Sequence, residues 1–288
     1  MPKLALALAT AAMLATPVVA QPLSIVAAEN VYGDVARQVA GPGTAVTSII
    51  SKPDEDPHLF EASPSVARDL ATADLVICNG ADYDPWMIRL LGATRAPDRQ
   101  VIVVATLMRR QPGDNPHLWY DPGTMPVAAR AIAAALAQRD PAHRPDYDRR
   151  LATFLAALQP IDARIAALHD KYAGTPVTAT EPLFGPMAAA LGLDMRNQRF
   201  QLAVMNNTEP RASDVAAFED DIRQHRVRLL FHNSQASDVA ARRMVRIAQQ
   251  ARIPVVGVTE TKPAGKTYQD WMLDQLEAVG RALTSGTS

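Results

Sequence analysis

The sequence holds a single cysteine among 288 residues, Cys78, so no intrachain disulfide can form. Whatever lobes the chain builds must be held by core packing and bound ligand. Cys78 sits inside the apolar run Leu75-Val76-Ile77-Cys78, the setting of a buried, inert thiol rather than a nucleophile. An excess of either charge is also missing. The 29 Lys and Arg offset 30 Asp and Glu to a formal net charge of -1. With no basic face apparent, nucleic acid is excluded as an expected partner. There is no short-period repeat and no low-complexity tract. Beyond the N-terminus no apolar run reads as long enough to span a bilayer, which takes about 20 residues. A soluble mature chain is expected.

The N-terminus has the layout of a secretory signal peptide. Met1 to Lys3 carry one cation, Leu4 to Leu14 are almost wholly apolar, and Thr16-Pro17 break the run before Val18-Val19-Ala20. Cleavage after Ala20 and a periplasmic location are expected. No cysteine stands just after Ala20 to take a lipid.

From there the chain alternates short apolar strands with helical patterns, which implies parallel sheets with crossover helices. Strands are predicted at Leu23 to Ala28, Ala45 to Ile50, Leu75 to Cys78 and Val101 to Ala105, with helices at Val31 to Val39, Ser65 to Ala71 and Pro85 to Leu91. The middle differs. Met125 to Gln138 is alanine-rich and helical. Asp140-Pro141 opens a second helical stretch to about Tyr172, in which apolar positions recur at three and four residues. Pro160 should kink or split it. Alternation then resumes, with strands at Val177 to Thr180, Leu202 to Met205, Val227 to Phe231 and Val255 to Val258. Helices are expected at Leu183 to Leu191, Ser213 to His225 (capped by Ser213), Ala236 to Gln250 and Tyr268 to Leu283. The order is lobe, long helix, lobe.

Candidate ligands stand just after strands, where open α/β sheets bind. His58 and His117 each lie in a Pro-His-Leu string followed by an aromatic residue, Pro57-His58-Leu59-Phe60 and Pro116-His117-Leu118-Trp119. The proline fixes its own φ and biases the residue before it to extended geometry, so each imidazole is presented on a stiff stretch of loop. Glu181 follows the strand ending at Thr180, and Glu260 follows the strand ending at Val258. Two imidazoles and two carboxylates suit a first-row divalent ion, and two negative charges would balance it away from water. Asp54, Glu55 and Asp56 form an acidic approach to His58 that serves equally as a solvated turn. His232, also at a strand end, lacks a matching string.

These motifs resemble the solute-binding proteins of zinc and manganese ABC importers, the cluster in which a rigid helix joins two lobes. The resemblance covers essentially the whole chain after the signal. It is carried by Asp56-Pro57-His58-Leu59-Phe60-Glu61-Ala62-Ser63-Pro64-Ser65 and by Asn115-Pro116-His117-Leu118-Trp119-Tyr120-Asp121-Pro122. Asp140-Pro141 to Tyr147 is similar to the start of the family's linking helix. Thr180-Glu181-Pro182-Leu183-Phe184 stands at the third ligand position, and Thr259-Glu260-Thr261 where the family usually has an aspartate. Other departures are Pro160 within the linking helix and a short loop, Arg109 to Asn115, without histidines. A glutamate at the third position resembles the manganese-type members.

The resemblance implies an α/β protein of two Rossmann-like lobes, each a parallel sheet with flanking helices, joined by a long linking helix. The expected division is signal 1–20, N-terminal lobe 21–140, linking helix 141–173 and C-terminal lobe 174–288. It implies a monomer, not an enzyme, that captures Zn2+ or Mn2+ as transported ligand through His58, His117, Glu181 and Glu260 and delivers it to a membrane permease. Zinc is expected to bind more tightly, since manganese stands lowest in the affinity order. Carboxylates that bind through both oxygens would suit manganese as the transported ion. The competing readings are a metallo-hydrolase with a two-histidine-carboxylate site and a binder of a chelated metal.

Overall fold

The computed structural model describes residues 23–52, 60–94, 96–236 and 238–285. The N-terminal lobe runs β1 (Ser24–Glu29), α1 (Asn30–Ala40), β2 (Ala45–Ile50), α2 (Pro64–Thr72), β3 (Leu75–Cys78), α3 (Pro85–Ala93), β4 (Gln100–Val103) and the single turn α4 (Val104–Leu107). A 3-10 turn, Leu118–Tyr120, precedes α5 (Thr124–Arg139). The linking segment is α6 (Arg144–Ala157) and α7 (Gln159–Tyr172). The C-terminal lobe holds β5 (Pro176–Ala179), α8 (Gly185–Ala190), β6 (Asp194–Met195), α9 (Gln198–Met205), α10 (Ala212–Arg223), β7 (Leu230–Asn233), α11 (Val239–Gln250), β8 (Val255–Val258) and α12 (Tyr268–Ser285).

Every strand pair is parallel, and the two sheets share one topology, β2-β1-β3-β4 and β6-β5-β7-β8. In each, the chain first steps to one side of the opening strand and then to the other. That reversal leaves a crevice at the strand carboxyl ends, where such sheets take ligands. Local chemistry explains the boundaries. Pro64 and Pro85 sit in first turns, where the missing N–H costs nothing. Asp238 caps α11 by accepting from the Ala241 N–H at 2.9 Å. Gly33 lets α1 lie against the sheet, since a Cβ there would meet Ser48 Oγ at 2.1 Å.

One large core runs through both lobes and the linker, from Ile25, Val31 and Ile77 through Phe154 and Leu168 to Leu183, Phe231, Trp271 and Leu276. The expected break at Pro160 falls at Leu158, between α6 and α7, so proline stands in the first turn of α7, where it is tolerated. Contrary to the sequence reading, Pro141–Tyr172 is long and apolar enough, by length and composition, to cross a membrane. Here Tyr147, Phe154, Leu158, Ile161 and Leu168 are instead buried in the protein core.

Other expectations need correction. Leu202 to Met205, expected as a strand, is the second half of α9. Short apolar runs do not tell strand from helix, and Phe200 and Val204, four apart, bury one helical face. The strand in that part of the chain is β6, only two residues long. Val104 and Ala105 leave β4 to form α4. β7 starts at Leu230 and ends at Asn233, later than expected. Ser213 lies inside α10, whose cap position is Arg211. Cys78 is buried, and burial pushes its thiol far above its ordinary range, which fits an inert side chain.

Candidate metal site

The carboxyl ends of the two sheets face each other across the cleft between the lobes. Asn30 Nδ2 donates to the Lys262 carbonyl at 2.7 Å, and the Lys262 N–H donates back to Asn30 Oδ1 at 2.9 Å. Tyr120 donates to the Thr259 carbonyl and Tyr268 to the Trp119 carbonyl. Asn115 Nδ2 reaches the Pro182 carbonyl at 2.7 Å. These bonds hold the loops that carry three of the four expected ligands.

His117 is fully buried at the start of the 3-10 turn. Its Nδ1 lies 2.8 Å from Asn115 Oδ1, which also accepts the His117 N–H. Because the Asn115 amide nitrogen is committed to Pro182, its oxygen faces the ring. Nδ1 therefore carries the proton, and Nε2 is the nitrogen with a lone pair to give. Such an outer hydrogen bond orients metal-binding histidines. Tyr83 and Trp119 pack edge-on around the ring, at 5.8 and 5.5 Å between centroids.

Glu181 and Glu260 are buried at the ends of β5 and β8. The Asn233 side-chain nitrogen, at the end of β7, donates to both: 3.0 Å to Glu181 Oε2 and 2.8 Å to Glu260 Oε1. Tyr83, from the other lobe, donates to Glu260 Oε2 at 2.7 Å. Burial, then the charge of Glu260, raises the Tyr83 phenol well above its ordinary range, so it stays protonated and donates. The Glu260 loop is fixed from behind. Gln235 Oε1 accepts the N–H groups of Glu260 and Thr261, at 2.6 and 3.0 Å.

The structure thus brings Glu181 and Glu260 together through Asn233, and places His117 against the tyrosine that holds Glu260. His58 and its acidic neighbours 54–56 lie in 53–59, outside the described residues. Among the described residues no three His, Cys, Asp or Glu side chains group closely enough to hold a metal by themselves. His232 is half-buried on the alternate face of β7 from Asn233, and burial lowers its pKa. Asn233, Gln235 and Tyr83 escaped the sequence reading, and Asn115 entered it only as part of the His117 motif. Asn233 and Gln235 belong to no motif, and all that marks them is their place just beyond a predicted strand of the second lobe.

A second acidic feature lies at the crevice of the N-terminal lobe. Glu29 closes β1 and is 3% exposed, and no donor among the described residues reaches either of its carboxylate oxygens. It faces Asp84, which accepts the N–H groups of Asn79 and Gly80 at 2.7 and 2.8 Å. Burial, and then the nearby Asp84, pushes the Glu29 carboxyl well above the usual range. Burial raises the Asp84 carboxyl as well, opposed by its two backbone donors, so Glu29, raised further, is the member of the pair that favours the proton.

A family model described as zinc-uptake complex component A, periplasmic (ZnuA), matches residues 25–282. The chain belongs to this family. Among curated proteins it is similar to the manganese ABC transporter substrate-binding lipoprotein PsaA of Streptococcus anginosus, at 22% identity over 92% of this chain and 90% of the relative. It is also similar to the iron-binding protein YfeA of Yersinia pestis, at 23% identity over 78% of this chain and 74% of the relative. Of solved structures, the periplasmic zinc-binding protein TroA of Treponema pallidum superposes with a TM-score of 0.77 at 19% identity, covering 92% of this chain and 99% of that one. A manganese-bound mutant of a periplasmic metal-binding protein of Candidatus Liberibacter asiaticus gives 0.74 at 17% identity, with 91% and 99% covered. The two-lobed α/β fold is shared with both. As a ZnuA-family member the chain is a metal-capturing, substrate-binding component of an ABC importer. The hydrolase and chelated-metal readings draw no support from these likenesses.

Proposed function

We propose that this chain captures one divalent transition metal ion, zinc or manganese, in the cleft between its lobes, with His58, His117, Glu181 and Glu260 as ligands. The observation that carries the reading is the meeting of two buried carboxylates from β5 and β8 with the Tyr83–His117 corner of the other lobe. Two buried carboxylates that share a donor call for a compensating positive charge, and a dication supplies it. The donor set of imidazole and carboxylate fits that class of ion.

In this proposal the chain is exported by residues 1–20, acts as a monomer and has no enzymatic role. Residues 21–140 and 174–288 form its lobes, with 141–173 as the link. Its second partner is the importer's membrane permease, which docks on the loaded form.

The test is isothermal titration of metal-stripped protein with Zn2+ and Mn2+, for the parent and for His58→Ala, His117→Ala, Glu181→Ala and Glu260→Ala. One ion should bind per chain, and each substitution should weaken binding by at least tenfold. Parent-like affinity in both histidine variants would place the site elsewhere.

A further inference from the structure

We propose that Asn115 is the latch on one edge of the metal cleft: its single amide joins the two lobes and holds His117, so parting the lobes at this edge loosens a ligand and opens a way out for the ion in one step. Asn115 is thus a positioning residue for capture and release. The proposal rests on the proposed site and adds the place where that site opens.

The two edges of the cleft are joined unequally. Along one, α1 meets the chain between β8 and α12. Asn30 and Lys262 exchange two hydrogen bonds, Asp34 Oδ2 accepts the Tyr268 N–H at 2.8 Å, and the side-chain amides of Gln38 and Gln269 pair at 3.0 Å. Tyr120 and Tyr268 add two more bonds between the lobes. The other edge, where the loop after β4 meets α8 and α9, is nearly unlinked. Among the described residues, the segment 182–205 makes one hydrogen bond to the N-terminal lobe, from Asn115 Nδ2 to the Pro182 carbonyl at 2.7 Å. A groove of about 630 Å³ lies between the lobes here, with Asp114, Asn115 and Asp121 in one wall and Pro182, Gly185 and Asp194 in the other. Arg110 is the one cation in its lining, against those three aspartates, so the groove favours a cation. Asn115 stands two residues before His117, and Pro182 directly follows Glu181. Parting this pair opens the groove onto the site.

Asn115 makes both contacts with one planar group. Nδ2 is spent on Pro182, so Oδ1 faces the other way and accepts the His117 N–H at 3.1 Å and meets the His117 ring at Nδ1, 2.8 Å away. An amide that turns away from Pro182 carries Oδ1 away from the ring, because both atoms sit on the same carbon. The lobe contact and the pose of the imidazole therefore move together. Outer partners of this kind orient metal-binding histidines, and losing one typically costs about 10–100-fold in affinity. The latch is also built to open. The Pro182 carbonyl accepts the Gly185 N–H as well, so it keeps a partner when Asn115 leaves. Asn115 is half-buried, so water can take over its amide hydrogens. Gly185 leaves the room that the amide occupies, since a Cβ there would lie 3.0 Å from Asn115 Nδ2.

The experiment measures metal release. Zinc-loaded protein is mixed with excess chelator in a stopped-flow instrument at about 1 M salt, where a Debye length of about 3 Å mutes any added charge. Asn115→Asp keeps an acceptor for His117 but has no donor for Pro182. It should release zinc faster by about 2–10-fold, the worth of one neutral hydrogen bond. Asn115→Ala loses both contacts and should release faster by a further factor of about 10–100. Gly185→Ala, made in the other lobe, crowds the amide and should also speed release. A second readout needs no metal. Hydrogen exchange in metal-free Asn115→Asp should quicken at Leu183 to Ala189, in the lobe that carries no substitution, while circular dichroism stays parental. A residue that only shaped its own loop would leave that distant segment unchanged. Parental release or parental exchange in Asn115→Asp therefore overturns the latch, and Asn115→Ala releasing no faster than Asn115→Asp overturns the tie to His117. If Asn115→Ala fails to fold, Asn115→Asp and Gly185→Ala decide. Failure of the underlying site is distinguishable: in that case His117→Ala binds zinc like the parent, whereas failure of the latch alone leaves His117→Ala defective and Asn115→Asp at the parental release rate.

Discussion

Replacing Glu29 by glutamine should stabilise the metal-free protein at neutral pH, by an amount that grows with pH. Glu29 is 3% exposed, no donor among the described residues meets it, and Asp84 beside it accepts two backbone N–H groups that oppose the rise burial gives its carboxyl. Its folded pKa is raised well above the ordinary 4.5. A carboxyl with a raised folded pKa contributes stability that is fully present below its unfolded pKa. That contribution is lost as pH rises through the folded value, because the folded state binds the extra proton. In Glu29→Gln the amide takes the place of the protonated carboxyl and donates to Asp84 without a proton to bind. The stability gap between variant and parent should therefore open above about pH 4.5 with a slope of at most about 1.4 kcal/mol per pH unit. At about 2–4 °C per kcal/mol for a chain above 150 residues, that is about 3–6 °C per unit. The assay is thermal melting by circular dichroism in chelator, from pH 5 to pH 8. Subtracting parent from variant cancels every other titrating group that the substitution leaves alone. A gap that stays constant across this range, or a glutamine variant that melts below the parent at pH 7, would refute the shared-proton assignment.

Three more outcomes are expected. Saturating zinc should raise the melting temperature and chelator should reverse it, since a ligand at a hundred times its Kd adds about 2.7 kcal/mol to the folded state; no shift in a thermal scan would speak against a dedicated site. Asn30→Ala should cost about 1–3 kcal/mol in urea denaturation, because it strands the buried Lys262 N–H and C=O that Asn30 now satisfies; a parental midpoint would show that this inter-lobe clasp contributes little. Intact mass of periplasmic material should place the mature N-terminus at or within two residues of Gln21, and a mass that retains Met1 to Ala20 would remove the export argument.

What the sequence made legible follows from where the physics is local. Leu75 to Cys78, between Asp74 and Asn79, and Val255 to Val258, between Pro254 and Thr259, are short β-rich runs, and both form strands at those bounds. Pro64 and Pro85 announce helix starts through their own backbone geometry. His117 stood out because a proline and an aromatic residue flank it in the chain. By contrast, β6 is only two residues long, and Asp194 and Met195 pair with Pro176 and Val177 for tertiary reasons that leave no run to read. Leu202 to Met205 looked strand-like because four residues cannot display a helical period. Asn233 was opaque for a different reason. It is uncharged, it belongs to no motif, and the carboxylates it joins lie 52 and 27 residues away in the chain. Its role exists only once β5, β7 and β8 are side by side.

The common topology of the sheets puts Glu29 and Glu181 in related places. Each stands where the opening strand of its lobe ends, beside the point at which strand order reverses. A buried carboxylate there must be neutralised. In the N-terminal lobe, Asp84 stands opposite, and burial raises both carboxyls, which favours a proton on the pair. In the C-terminal lobe, Glu260 stands opposite, and Asn233 spaces the two carboxylates apart with a neutral amide. The lysine two residues on, Lys262, turns its ammonium to the carbonyls of Pro263 and Lys266. In the proposed function, this second carboxylate pair receives a cation from outside. On the proposed function, the same fold position serves capture in the lobe where an amide joins the two carboxylates, and holds a pair of raised carboxyls in the lobe where none does.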